Sequence, residues 1–216
     1  MFMLRVGLFL AIFIAAVVVG WRLLEHRELP VFHPKQLDPR LVDPAVRNDP
    51  APHKVSDFLL TDQLGRQVSA AGVAGKVRVV DFFFTTCATI CPKMTGQMAR
   101  VQEAFRRDDR VLLLSHSVTP EMDSVEVLAA YAELHDVDPG RWLLLTGDRA
   151  QIYSLARRSY FAALDQGDGG PDDFVHTENF VLVDPEGRIR GFYDGTSKGD
   201  VDRLIADIGL LLKSLP

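Results

Sequence analysis

Cys87 and Cys91 are the only two cysteines in a chain of 216 residues, and three residues, Ala88-Thr89-Ile90, separate them. Two thiols this close can cycle between dithiol and disulfide, or clamp a soft metal ion as thiolates. A framework of structural disulfides is excluded, because two cysteines cannot staple a chain of this length. Thiol oxidoreductases commonly use Cys-x-x-Cys, and one further residue widens the loop and gives the sulfurs more freedom to embrace an ion. The dithiol alone leaves the redox and metal roles open.

The elements that must position the pair are legible around it. Residues 77–85 (VRVVDFFFT) form a continuous apolar run of buried-strand type. Residues 92–107 follow as a helix with Met94, Met98, Val101 and Phe105 on one stripe. Cys87 therefore falls at a strand end and Cys91 at a helix start, with Pro92 in the first turn, where its missing N–H costs nothing. The positive end of the helix dipole lowers thiolate pKa there, which suits nucleophilic attack and metal ligation alike. A hairpin (58–61 and 67–69) precedes this unit. After it come a strand (111–115), a helix (124–135), a strand (142–145), a helix (148–160), a second hairpin (179–183 and 188–193) and a last helix (200–212). Such alternation predicts an α/β domain, a central sheet with helices on both faces, and the order of elements is thioredoxin-like.

His176 is the candidate third partner of the pair. Thioredoxin-like reductases place a proline just before the strand of the late hairpin, facing the dithiol, but here no proline lies between Pro171 and Pro185 and His176 stands near that place. Two thiolates and an imidazole make a soft set that suits copper(I) and, with an oxygen ligand, accepts copper(II). A structural zinc site would want a fourth protein ligand, and none is evident. His116 at a strand end, His135 at a helix end, and Met94 and Met98 on an apolar stripe read as packing or solvated residues. The glycine-rich acidic stretch 165–173 leads into His176 and is the hinge expected if that side chain swings toward the dithiol.

Residues 6–21 (VGLFLAIFIAAVVVGW) carry no charge and lie between Arg5 and Arg22. With Leu23 and Leu24 they are long enough for one transmembrane helix, and no small-x-small cleavage site follows them. The expectation is an uncleaved membrane anchor over 1–25, a proline-rich linker over 26–55 acting as a tether, and a folded domain over 56–216. A net charge of −5 without any basic cluster excludes a nucleic-acid surface.

DFFFTTCATICPKM, the later SVTPEMDSVEVLAAYAELHDVDPGRWLLLTGD, and His176 followed by FVLVDPEGRI together resemble the Sco/SenC family of membrane-anchored, copper-binding thioredoxin-fold proteins. The resemblance runs from about Val55 to the C-terminus, and the anchor and linker match the family layout. It implies a copper chaperone for the dinuclear copper site of cytochrome c oxidase, with Cys87, Cys91 and His176 as metal ligands. It also implies a domain facing the periplasm or the mitochondrial intermembrane space, and a copper-bearing oxidase subunit or another copper protein as partner. The alternative is a membrane-anchored thiol–disulfide oxidoreductase that uses the same two cysteines. Two departures stand out: the family commonly has an acidic residue between the cysteines and Asp-Pro where this chain has Thr119-Pro120, although Asp123 fits the acidic position that follows.

Overall fold

The computed structural model describes Val6, Leu10 and residues 12–20, 29–39, 41–48, 52–162 and 178–215. His176 and the 165–173 stretch lie outside the described residues. So does much of the anchor region. Residues 12–20 are helical, and Ile12, Phe13, Ile14, Val17, Val18 and Val19 are all exposed. Among the described residues no helix is long and apolar enough to cross a membrane.

The elements follow the predicted alternation: β1 (Leu59–Asp62), β2 (Gln67–Ser69), β3 (Val77–Phe83), α1 (Cys91–Ala104), β4 (Val111–Ser117) and α2 (Val125–Leu134). β5 (Trp142–Thr146), α3 (Arg149–Ser154), β6 (Asn179–Val183), β7 (Ile189–Asp194) and α4 (Lys198–Ser214) complete the domain. They build one 7-stranded sheet in the order β2-β1-β5-β4-β3-β6-β7. The three central strands β5, β4 and β3 are parallel, and the flanking hairpins join them antiparallel.

Alternation along the strands divides the core between two faces. Val77, Val79 and Phe83 of β3 meet Met94, Met98 and Val101 of α1, Leu128 of α2, and Val201, Leu204 and Ile208 of α4. Val80 and Phe82, with Leu112, Leu114, Leu143 and Leu145, meet Ile152, Leu155 and Tyr160 on the other side. Met94 and Met98 are thus core residues, as their helical spacing indicates.

Boundaries differ from the sequence reading where caps and pairing decide. Ser197 accepts the amide of Asp200, so α4 starts two residues before the predicted 200. β4 runs on to Ser117 because that residue still pairs with Phe83. The helix expected over 148–160 stops at Ser154 and widens into one π turn, Leu155–Ser159. That turn lets Leu155, Ala156, Tyr160 and Phe161 all enter the core.

One turn chemistry closes both hairpins. In Asp62-Gln63-Leu64-Gly65-Arg66 the Asp62 Oδ1 accepts the amides of Leu64 and Arg66, and Asp184 does the same for Glu186 and Arg188 in Asp184-Pro185-Glu186-Gly187-Arg188. Gly65 and Gly187 supply the left-handed residue, at φ +75° and +84°.

The described part of the proline-rich segment lies against the domain. The Phe32 amide donates to the Ile189 carbonyl at 2.9 Å, and the Phe32 ring meets Phe192 edge-on. Arg190 donates to the carbonyls of Leu29 and Pro30, Asp43 pairs with Arg158 at 2.8 Å, and Val55 donates to Gly187. Leu29 and Val42 are buried.

Candidate metal and dithiol site

Cys87 sits in the loop that leaves β3, and Cys91 is the first residue of α1. Both are free thiols, and both are buried. Ile90, at the N-cap of α1, offers no side-chain hydrogen bond. The Cys91 amide, one of the unpaired donors of a helix start, instead points at Cys87 Sγ, 3.5 Å away. The Thr89 hydroxyl lies 3.6 Å from the same sulfur. The sulfur of Cys87 thus takes the place of a capping oxygen.

This geometry splits the two thiols. Burial raises the pKa of Cys87, but the thiol and amide of Cys91 together with Thr89 outweigh it and bring the group down to about 7. Cys91 is pushed up to about 12, chiefly by burial and further by the neighbouring Cys87 and Asp81 charges. The pair therefore contains one sulfur that ionises at neutral pH and one that holds its proton.

Beneath the pair lies a polar layer inside the apolar face. Asp81 of β3 is fully enclosed, and burial lifts its carboxyl to about 7 against the hydrogen bond it receives from Ser115 Oγ. Trp142 Nε1 donates to the same Ser115 hydroxyl at 2.8 Å. Tyr131 of α2 closes another side: its hydroxyl meets Thr95 Oγ1 at 2.7 Å, one turn after Cys91. Burial first, then Cys91, Asp81 and Cys87, push that phenol up to about 12. Sequence reading passed over Asp81, Thr95 and Tyr131. A lone acid inside VRVVDFFF, six positions before Cys87, was the available signal for Asp81.

The remaining candidates fall elsewhere. His116 is buried on the opposite face, stacked on Phe82 at 5.0 Å between centroids, and burial lowers its pKa to about 4, so it stays neutral. His135 follows the end of α2 and packs on Tyr131 at 4.3 Å. His53 is drawn to the carbonyl of Ser159 at 2.8 Å. Among the described residues no group of three or more His, Cys, Asp or Glu could hold a metal ion. The third donor expected from sequence, His176, is not among them.

Comparison with known proteins places this arrangement in a family. The SCO1 homolog of Bacillus subtilis is 33% identical over 162 residues, covering 74% of this chain and 83% of that protein. The bovine mitochondrial SCO2 homolog is 32% identical over 142 residues, and the chain spans about half, 52%, of its length. Among solved structures, BsSco, described as a member of the Sco family of cytochrome c oxidase assembly proteins with a disulfide switch, superposes with a TM-score of 0.65 at 32% identity. The match covers 77% of this chain and 98% of that one. Bradyrhizobium japonicum ScoI with copper bound superposes at 0.59 with 27% identity, covering 74% and 99%. The sequence model described as SCO1/SenC matches residues 46–213, and the chain belongs to that family.

Proposed function

We propose that the protein is a membrane-anchored copper chaperone in which Cys87, Cys91 and His176 hold one copper ion. It delivers that ion to, or prepares, the copper site of cytochrome c oxidase. Residues 6–24 anchor the chain, and the domain faces the periplasm or the mitochondrial intermembrane space. The observation that carries this reading is the meeting of two thiols at the start of α1, one of them down at about 7, in a family with members solved with copper bound. Two sulfurs and an imidazole would supply soft donors, and a partner with more such donors would draw the ion away.

A second reading has its own support in the split between the thiols. A nucleophile down at about 7 beside a protonated partner is the arrangement that thiol–disulfide exchange uses. The Cys87 thiolate attacks a partner's disulfide, forms a mixed disulfide and releases one partner thiolate. Cys91 then passes its proton to the released partner thiolate and attacks Cys87 Sγ, releasing the second partner sulfur as a thiolate. Two electrons pass to the partner and the Cys87–Cys91 disulfide remains. This would reduce a partner's cysteines before metal is inserted.

His176→Ala separates the two. On the chaperone reading, copper retention against a competing chelator falls by about tenfold or more and oxidase activity in cells is lost, while the dithiol still cycles. Unchanged retention removes His176 from the site. Full oxidase activity despite lost copper moves the function to thiol exchange.

A further inference from the structure

We infer that Asp123 is a positioning residue for the Cys87–Cys91 pair, acting through Thr85 at the root of the cysteine loop. The inference rests on the reading of that pair as the working site, and Asp123 itself hydrogen-bonds neither cysteine.

Asp123 is fully buried in the turn before α2. A carboxyl group is expensive to enclose without partners, and this one accepts from four donors, none of them cationic. Oδ1 takes the Thr85 hydroxyl at 2.5 Å. Oδ2 takes the Thr85 amide at 3.3 Å, the Ser117 hydroxyl at 2.5 Å and the Thr119 hydroxyl at 3.1 Å. Ser117 Oγ also receives the Thr119 amide at 3.2 Å. One side chain thus joins the exit of β3, the exit of β4 and the entry to α2.

Two of those four bonds fall on Thr85, through its amide and its hydroxyl. From there the chain to the sulfur is short. Thr85 and Thr86 lead to Cys87, whose amide is held by the Phe84 carbonyl at 3.4 Å. Cys87 Sγ then faces the Cys91 amide at 3.5 Å. α1 is fixed independently by its core residues Met94, Met98 and Val101, so Cys91 has a defined place. Cys87 sits on the loop, and the position of its sulfur relative to α1 depends on where β3 lets that loop begin. Asp123 defines that point from outside both elements.

The test uses the full chain and three substitutions. Thr85→Val keeps shape and backbone amide but loses the hydroxyl, Thr85→Ser keeps the hydroxyl, and Asp123→Asn removes one acceptor atom. Two properties are measured beside thermal unfolding. One is copper retention against a competing chelator. The other is the equilibrium in which the protein disulfide and two glutathione thiols give the protein dithiol and one glutathione disulfide. A hydrogen bond of this kind is worth about a tenfold change, so Thr85→Val shifts both by about tenfold while Thr85→Ser stays within about twofold of wild type. Asp123→Asn shifts both at least as far; if it fails to fold, the Thr85 variants decide. A purely structural role would lower the unfolding temperature and leave both equilibria alone. The inference is overturned if Thr85→Val behaves as wild type in both, or if Thr85→Ser moves as far as Thr85→Val. Should the wild-type chain retain no copper, the chaperone reading fails, and the glutathione equilibrium still decides the role of Asp123.

Discussion

The main-chain amide of Cys91 is directed at the sulfur of Cys87 from 3.5 Å, so the start of a helix donates to one of two buried sulfurs. The asymmetry is chemical as well as spatial. With Cys87 down at about 7 and Cys91 up at about 12, alkylation by iodoacetamide should modify Cys87 first, with a rate that rises through a midpoint near pH 7. At pH 8 Cys91 should react about a hundredfold more slowly, as measured by mass mapping of the labelled cysteine. Equal labelling of both would show that the amide does not discriminate between them.

Asp81 should make stability fall with rising pH. Its carboxyl ordinarily titrates at 3.8 and is held at about 7 in the fold, so between those values the folded protein keeps a proton that the unfolded chain has released. Its contribution is therefore fully present below pH 3.8, declines through the interval, and is lost above about 7. Asp81→Asn removes this cost while keeping an oxygen to accept from Ser115. The variant should exceed wild type by on the order of 4 kcal/mol at pH 8, with the advantage vanishing near pH 4. Urea unfolding at the two pH values measures it, and a variant less stable than wild type at pH 8 would contradict the account.

The anchor reading makes a prediction about the mature chain. Residues 6–21 carry no charge and no small-x-small motif follows them, so the segment over 6–24 should remain attached after export. Mass spectrometry of the protein isolated from membranes should find peptides from before Trp21. A mature N-terminus beginning beyond it would mean that the segment is a removable export signal.

Much of the domain could be read from sequence because its signals are local. The run 77–85, the turn residues of both hairpins and the capping residues Ser124 and Asp148 each act over a few positions, whereas the equally local cap at Ser197 was missed. Cys87 and Cys91 were equally plain, being the only thiols and flanked by a strand and a proline. Their environment was not, because it is assembled from afar: Tyr131 reaches Thr95 across 36 positions, and Asp123 reaches Thr85 across 38. No periodicity records such pairs. The π turn after Ser154 was hidden for another reason, since Leu155 to Tyr160 carries ordinary helix formers and only the demand to bury Tyr160 and Phe161 widens it.

The segment over 29–55 bears on how the folded domain can be produced by itself. β7 ends the sheet, and its outer side would present open hydrogen-bonding groups to any extended chain it met. Phe32 occupies one of those groups at Ile189, Val55 shields the adjoining turn at Gly187, and the buried Leu29 is held by Arg190 of the same strand. A truncated form beginning at Pro50 would strip away all but Val55 and leave a sticky border, inviting strand-to-strand aggregation. Beginning the soluble form ahead of Leu29 retains the guard along that border.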